Sequence, residues 1–287
     1  MSVARILAVC GLAAGLAMGA LTDTVPPRDP ITIEGYQILS GDFHVHAFVG
    51  DGGIPPWMLQ GHAPHVGLDV IAITNHNQTL AARLGRAAAQ PSGTLVLVGE
   101  EITGRDYHLI GVGIARPVNW DQPARGAIAD VRAQGGVAIA AHPMHGFDGY
   151  DPAALAELDG VEAAHLDTLS PAMGRQFEEF YQRTVARNPE VAAIGSSDFH
   201  TSGPMGLCRT YLFVRERSEA GVVQAIRDGR TVGRCESGRL WGRPELVRLL
   251  EPYRDALAPP DESFAQTLAL LLVWLSLVAL AIVGLRS

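Results

Sequence analysis

Short apolar runs alternating with helical stretches constrain this chain more than any other feature. Six runs have the character of buried strands: LDVIAIT, TLVLVG, HLIGVGI, GVAIAA, VAAIGS and TYLFV. Between several of them lie segments with apolar residues at helical spacing: TLAARLGRAAA, ARGAIADVRAQ, PAALAEL, RQFEEFYQRTVAR and EAGVVQAIRDG. Gly135, Gly160, Asn188 and Gly229 stand where helices of this kind stop. Strands alternating with helices predict a parallel sheet covered by helices. So many units within roughly 200 residues predict a barrel in preference to an open sheet.

Both ends of the chain are apolar. Residues 6–21 form an apolar run preceded by Arg5, which reads as a signal-peptide core or an N-terminal anchor over residues 1–21. The run LALLLVWLSLVALAIVGL near the other end is apolar on every face and stops at Arg286. With Phe264 and Ala265 leading in, it reaches the about 20 residues that span a bilayer, so a transmembrane helix is expected over 264–285. Arg5 and Arg286 flank the two segments, and positive flanks stay on the cytoplasmic side. The middle of the chain is therefore expected outside the cytoplasm, on a cytoplasmic membrane. Residues 22–34 and 251–263 read as Pro-containing linkers on either side of a domain at 35–250. Besides Cys10 the chain has Cys208 and Cys235, which either pair in an oxidising compartment or serve as small buried hydrophobes.

The polar residues of interest fall at strand ends. In GDFHVH, alternation along a strand places Asp42, His44 and His46 on one face, and Phe43 and Val45 on the other. Two adjacent imidazoles can ligate one metal ion, and Asp42 is positioned to orient one of them. Further strands end in or begin with His76, Glu101, His108 and His142, and GSSDFH supplies a second such pair in Asp198 and His200. Six of the ten histidines thus stand at or beside strand ends. In βα barrels that rim builds the active site.

The ordered series GDFHVHA, DVIAITNHN, VGEEIT, YHLIGVG, AAHPMH and GSSDFH resembles the polymerase-and-histidinol-phosphatase (PHP) superfamily, over roughly Gly41 to Arg234. TYLFVRERSEAGVVQAIRDGRTVG resembles that family's last strand and helix. The resemblance implies a distorted (β/α)7-type barrel holding up to three divalent ions. By position it implies His44, His46, Glu101 and Asp198 around one ion, and Glu101, His108 and His142 around a second. Asp51, His76 and His200 would surround a third. Imidazole and carboxylate without thiolate suits zinc, manganese or iron. One departure stands out: Asn75 occupies a position where the family usually has Asp. Such a change is mild if the residue only orients a neighbour, and lowers activity if it accepts a proton.

The expected function is hydrolysis of a phosphate mono- or diester, with a metal-held hydroxide near Glu101 attacking phosphorus in line. Arg105 and His145 follow two of the motifs and are candidates for contacting the substrate. The alternatives are metal-dependent amide or ester hydrolysis, and a metal-binding module without turnover. The chain has no lysine, which removes Schiff-base chemistry and the P-loop lysine. A net charge of -8 argues against general nucleic-acid binding, so the expected partners are a small phosphorylated substrate and, through the C-terminal helix, the membrane.

Overall fold

The computed structural model describes every residue except 1–2, 26–27, 92, 145–147, 202–204, 261–263 and 285–287. The chain divides into two compact units. One is residues 28–259; the other joins the two termini.

In the larger unit the apolar runs are strands and the helically spaced segments are helices. The elements follow as β1 (Ile31–Ile33), β2 (Tyr36–Val45), α2 (Pro56–His62), β3 (Val70–Ile73), α3 (Leu80–Ala88), β4 (Leu95–Thr103), β5 (His108–Val112), α4 (Ala124–Ala133) and β6 (Val137–Ala140). The second half adds α5 (Pro152–Glu157), β7 (Gly160–Ala164), α6 (Pro171–Val185), β8 (Ala192–Gly195), β9 (Arg209–Val214), α7 (Glu219–Arg227), β10 (Thr231–Arg234), β11 (Leu240–Gly242) and α8 (Pro244–Leu250). The helix α1 (Val3–Thr22) precedes them and α9 (Phe264–Gly284) follows.

All the strands lie in one sheet of order β11-β10-β9-β2-β3-β4-β5-β6-β7-β8, with β1 paired to β2. The expected all-parallel sheet is corrected to a mixed one. β2–β3–β4 and β6–β7–β8 are parallel, whereas β5 runs against both neighbours and β9 runs against β2. The reversal has a use. β5 begins at the rim where its neighbours end, so His108, at its start, arrives beside residues at their ends.

The sheet curls until β8 meets β9 and β10. A Cβ at Gly195 would overlap the Arg209 carbonyl oxygen, and one at Gly233 would sit 3.0 Å from Gly195 N. The Thr210 hydroxyl accepts from Gly195 N at 2.9 Å and donates to Gly195 O at 2.8 Å. Two glycines and one hydroxyl thus close the seam where a regular ladder stops. Side chains from β2, β3, β4, β5, β6, β8 and β9 form one apolar cluster, joined by Val222, Ala225 and Ile226 of α7. Separate clusters pack α4 to α6, and α2 with α3, against the wall.

The barrel unit reaches beyond residues 35–250 at both ends, to 28–259. β1 lies inside the segment read as a linker and pairs with β2. Leu257 is buried, and its carbonyl accepts from the Tyr211 hydroxyl at 2.7 Å. Gly160 does not stop a helix: it opens β7, a strand that went unread because Glu162 interrupts its apolar run.

In the terminal unit, α1 and α9 are both long and apolar enough to cross a membrane. Gly11, Gly15 and Gly19 recur at four-residue spacing and face Ser276, Val273 and Ala269. A Cβ at Gly15 would come to 2.9 Å from Val273 Cγ2 and 3.0 Å from Ala269 O, so glycine allows the close approach. Gln266 Nε2 donates to Thr22 O at 3.0 Å at one end of the pair.

Candidate metal centre

The rim of the barrel gathers the residues singled out in the sequence. β2 delivers His44 and His46, though not by strict alternation. The register between β2 and β3 shifts between Asp42 and Val45, so Phe43 joins the central apolar cluster and Val45 the one beneath α2 and α3. Asp42 Oδ1 accepts from His44 N at 3.3 Å, a bond to the backbone of that residue and not to its ring. Its carboxylate accepts from Ser197 N at 3.1 Å, Ser197 Oγ at 2.5 Å and Gly206 N at 2.9 Å. It anchors the loop bearing Asp198, which corrects the expectation that it orients an imidazole.

Four buried atoms converge. His44 Nε2 lies 3.2 Å from Glu101 Oε2 and 3.1 Å from Asp198 Oδ1; His46 Nε2 lies 3.3 Å from each. None of the four has a hydrogen-bond partner among the described residues. Ligand atoms about 2.0–2.1 Å from a tetrahedral zinc stand about 3.3 Å apart, so the spacing of these four atoms fits a cation.

Two more groups adjoin the first through shared residues. Glu101 Oε1 lies 2.6 Å from His108 Nδ1 and 3.0 Å from His142 Nε2. His46 turns its Nδ1 to Asp51 Oδ1 at 3.0 Å, and Asp51 Oδ2 meets His76 Nε2 at 3.2 Å and His200 Nε2 at 3.1 Å. In each group one ligand atom per residue lies within 4.8 Å of the others. All nine residues carried over from the resemblance are therefore together, with His46 shared between two groups. Asp51, His76 and His200 are partly exposed while His44 and His46 are fully buried, so solvent reaches the cluster from the Asp51 side.

Charge explains the protonation of this rim. Burial raises Glu101 and Asp198, but His44 and the surrounding imidazoles outweigh it and hold both well below the usual carboxylate range. Burial lowers His46, but the adjacent Asp198 and Glu101 carboxylates push it up to about 9. Protons thus balance the carboxylates where cations would otherwise do so. Glu100, the neighbour of Glu101, points elsewhere and accepts from Val118 N at 2.5 Å.

The backbone is strained at this rim. Val49, Asn77, His142 and Asp198 all have positive φ, at 81°, 49°, 22° and 49°. Each such residue costs of order 1–3 kcal/mol and persists only where surrounding bonds hold it.

Asn75 lies beside the cluster and not in it. Its Oδ1 accepts from Ala47 N at 3.1 Å and its Nδ2 donates to Ala47 O at 2.7 Å. An amide satisfies both groups of that peptide; a carboxylate would face the Ala47 carbonyl without a proton to share. Arg105 is largely exposed and pairs with Asp121 at 3.3 Å. His145 lies outside the described residues.

Sequence reasoning missed Glu162 and His165. Both come from the unread strand β7 and its end. Glu162 is fully buried and faces His44 Nδ1 at 2.9 Å. Burial raises its carboxyl, but His44, His165 and His142 hold it down at about 2. The signal was present in GVEAAH, a short strand pattern between two helical segments.

Nine imidazole and carboxylate side chains that could hold metal ions stand at the rim of a nearly closed mixed α/β barrel. Residues 182–231 match the family model described as PHP-associated. A two-domain protein of Bacteroides vulgatus, described as containing a predicted PHP-like metal-dependent phosphoesterase, has a similar structure. Its TM-score is 0.61 and its identity 23%, over 79% of this chain and 74% of that one. A metal-dependent phosphoesterase-like protein of Bifidobacterium adolescentis matches at TM-score 0.46 and 21% identity, over 61% of this chain and 91% of the other. An uncharacterised protein of Methanocaldococcus jannaschii is 28% identical over 130 residues, which is 41% of this chain and 72% of that protein. The chain thus shares the fold of the Bacteroides vulgatus protein, and its residues 182–231 match the PHP-associated model.

Proposed function

We propose that this protein is a metal-dependent phosphoesterase, hydrolysing a small phosphate mono- or diester and held at a membrane by its terminal helices. The observation that carries the reading is the convergence of His44 Nε2, His46 Nε2, Glu101 Oε2 and Asp198 Oδ1, buried and without hydrogen-bond partners among the described residues. The adjoining groups extend the capacity to three zinc, manganese or iron ions. Such ions lower the pKa of a coordinated water and neutralise charge building on phosphate oxygens.

The chain's own part is positioning. Glu101 spans two groups through its two oxygens, and His46 spans two through its two nitrogens. Glu101 on β4 and His46 just after β2 would thus each face two of the candidate ion positions. Asp51, His76 and His200 form the side open to water, where substrate oxygens would enter. Asn75 supports the Ala47 peptide, which leads into the loop carrying Asp51. That supports a structural role for Asn75.

For location, α1 and α9 are read as membrane spans, with Arg5 and Arg286 on the cytoplasmic side and the barrel on the other; Arg286 lies outside the described residues. Cys208 and Cys235 form a disulfide, as suits an oxidising compartment.

The test is a panel of phosphomonoesters, phosphodiesters, amides and simple esters, assayed with the full chain in detergent before and after chelation. Turnover of a phosphoester that is lost with chelator and restored by zinc, manganese or iron is expected. Hydrolysis confined to amides or carboxylic esters would overturn the phosphoesterase reading, and no hydrolysis by metal-loaded protein would move the binding-module reading forward.

A further inference from the structure

We infer that Glu162, outside the nine ligands, is the positioning residue on which the metal-binding geometry depends; this rests on the metal-site reading above. Its carboxylate is fully buried on β7 and engages three groups from three different strands. Oε1 faces His44 Nδ1 at 2.9 Å and also accepts from the Ser196 hydroxyl; Oε2 accepts from His142 N at 2.5 Å.

Each of these bonds acts on a ligand. At His44 it places the ring proton on Nδ1, leaving the Nε2 lone pair directed at Glu101 and Asp198. A carboxylate behind an imidazole also raises its basicity as a ligand. At His142 the bond holds the backbone of a ligand whose φ is 22°, a conformation that residues other than glycine rarely adopt. At Ser196 it fixes the residue two before Asp198, whose φ is 49°, while Asp42 fixes Ser197 from the other side. Glu162 therefore connects the ends of β2, β6 and β8.

A competing role is that of a ligand. His44, Glu162 and His165 also offer atoms within 4.8 Å of one another, and His165 Nε2 is buried without a partner. In that arrangement Glu162 would hold an ion itself, together with the Nδ1 face of His44. The Nδ1–Oε1 separation of 2.9 Å is that of a hydrogen bond, which favours the positioning role.

The experiment measures zinc affinity and zinc per chain for the full-length protein in detergent, by competition with a chromophoric chelator, in wild type, Glu162→Gln, Glu162→Asp and Ser196→Ala. Glu162→Gln keeps the shape but presents an NH2 to one of the donors. It is expected to weaken zinc binding by about 10–100-fold, the usual effect of losing such an outer partner, at unchanged stoichiometry. Glu162→Asp, which keeps the charge, should recover part of that loss, and Ser196→Ala should show a smaller loss in the same direction. If Glu162→Gln does not fold, Ser196→Ala carries the test alone, and wild-type affinity there overturns the inference. Wild-type affinity in Glu162→Gln overturns it as well. So does the loss of one zinc per chain with the remaining affinities unchanged, because Glu162 is then a ligand. A wild-type protein that binds no zinc, manganese or iron would instead overturn the metal-site reading itself.

Discussion

At the scale of single residues, the structure separates groups placed to receive a cation from groups that hold those groups in place. His44→Ala and Asp198→Ala each remove one of four converging buried atoms. Both are expected to abolish metal-dependent turnover and to lower the metal content of purified protein, measured by mass spectrometry; full activity in either would refute the assignment. Asn75→Asp is expected to destabilise the fold by about 1–3 kcal/mol, because a carboxylate cannot donate to the Ala47 carbonyl. Chemical denaturation checks this, and a wild-type midpoint would show that Asn75 has no such role. His46 supplies a pH dependence. Its folded value of about 9 lies above the ordinary 6.5. In metal-free protein its contribution is fully present below pH 6.5 and is lost as pH rises through about 9. Metal affinity should change in the opposite sense, rising over that window as fewer protons need displacing. Melting curves across the window, with and without zinc, should therefore diverge as pH increases.

At the scale of elements, most strands and helices were legible because hydrophobic spacing reports them directly. TLAARLGRAAA and ARGAIADVRAQ became α3 and α4 nearly residue for residue. β7 was not legible, since a buried glutamate inside a short strand reads as a break until its partners are known. Nor was the direction of β5: two strands of identical composition can run either way, and only pairing decides. Helix pairing at the termini likewise shows in contacts alone. Gly11 and Ser276 face each other, so Gly11→Cys with Ser276→Cys in a Cys10→Ala background should crosslink in isolated membranes upon oxidation. Failure to crosslink would refute the pairing of α1 with α9.

For the whole molecule, the barrel is closed by few direct bonds at the β8 seam, and a disulfide joins the flanks of β9 and β10 nearby. Cys208 and Cys235 enclose a loop of 27 residues. Reduction is expected to cost about 3–4 kcal/mol on chain-entropy grounds, read as a lower melting temperature under dithiothreitol. Saturating metal should raise the melting temperature, because ions bind the folded rim and the unfolded chain offers no assembled site.

The sequence alone determined which residues could ligate a cation, their order along the chain, and the apolar character of both ends. Those features are carried by residue type and local spacing, and neither depends on distant partners. Tertiary structure decided the rest. It bound Asp42 to the His44 backbone and to the loop before Asp198, shared His46 between two groups, and gave Asn75 the backbone of Ala47 to bind. It also brought Glu162 from an unread strand to the back of His44, at a sequence separation of 118 residues. Each of these outcomes depends on which backbone groups are left needing a partner once the barrel has closed, and local patterns do not encode that.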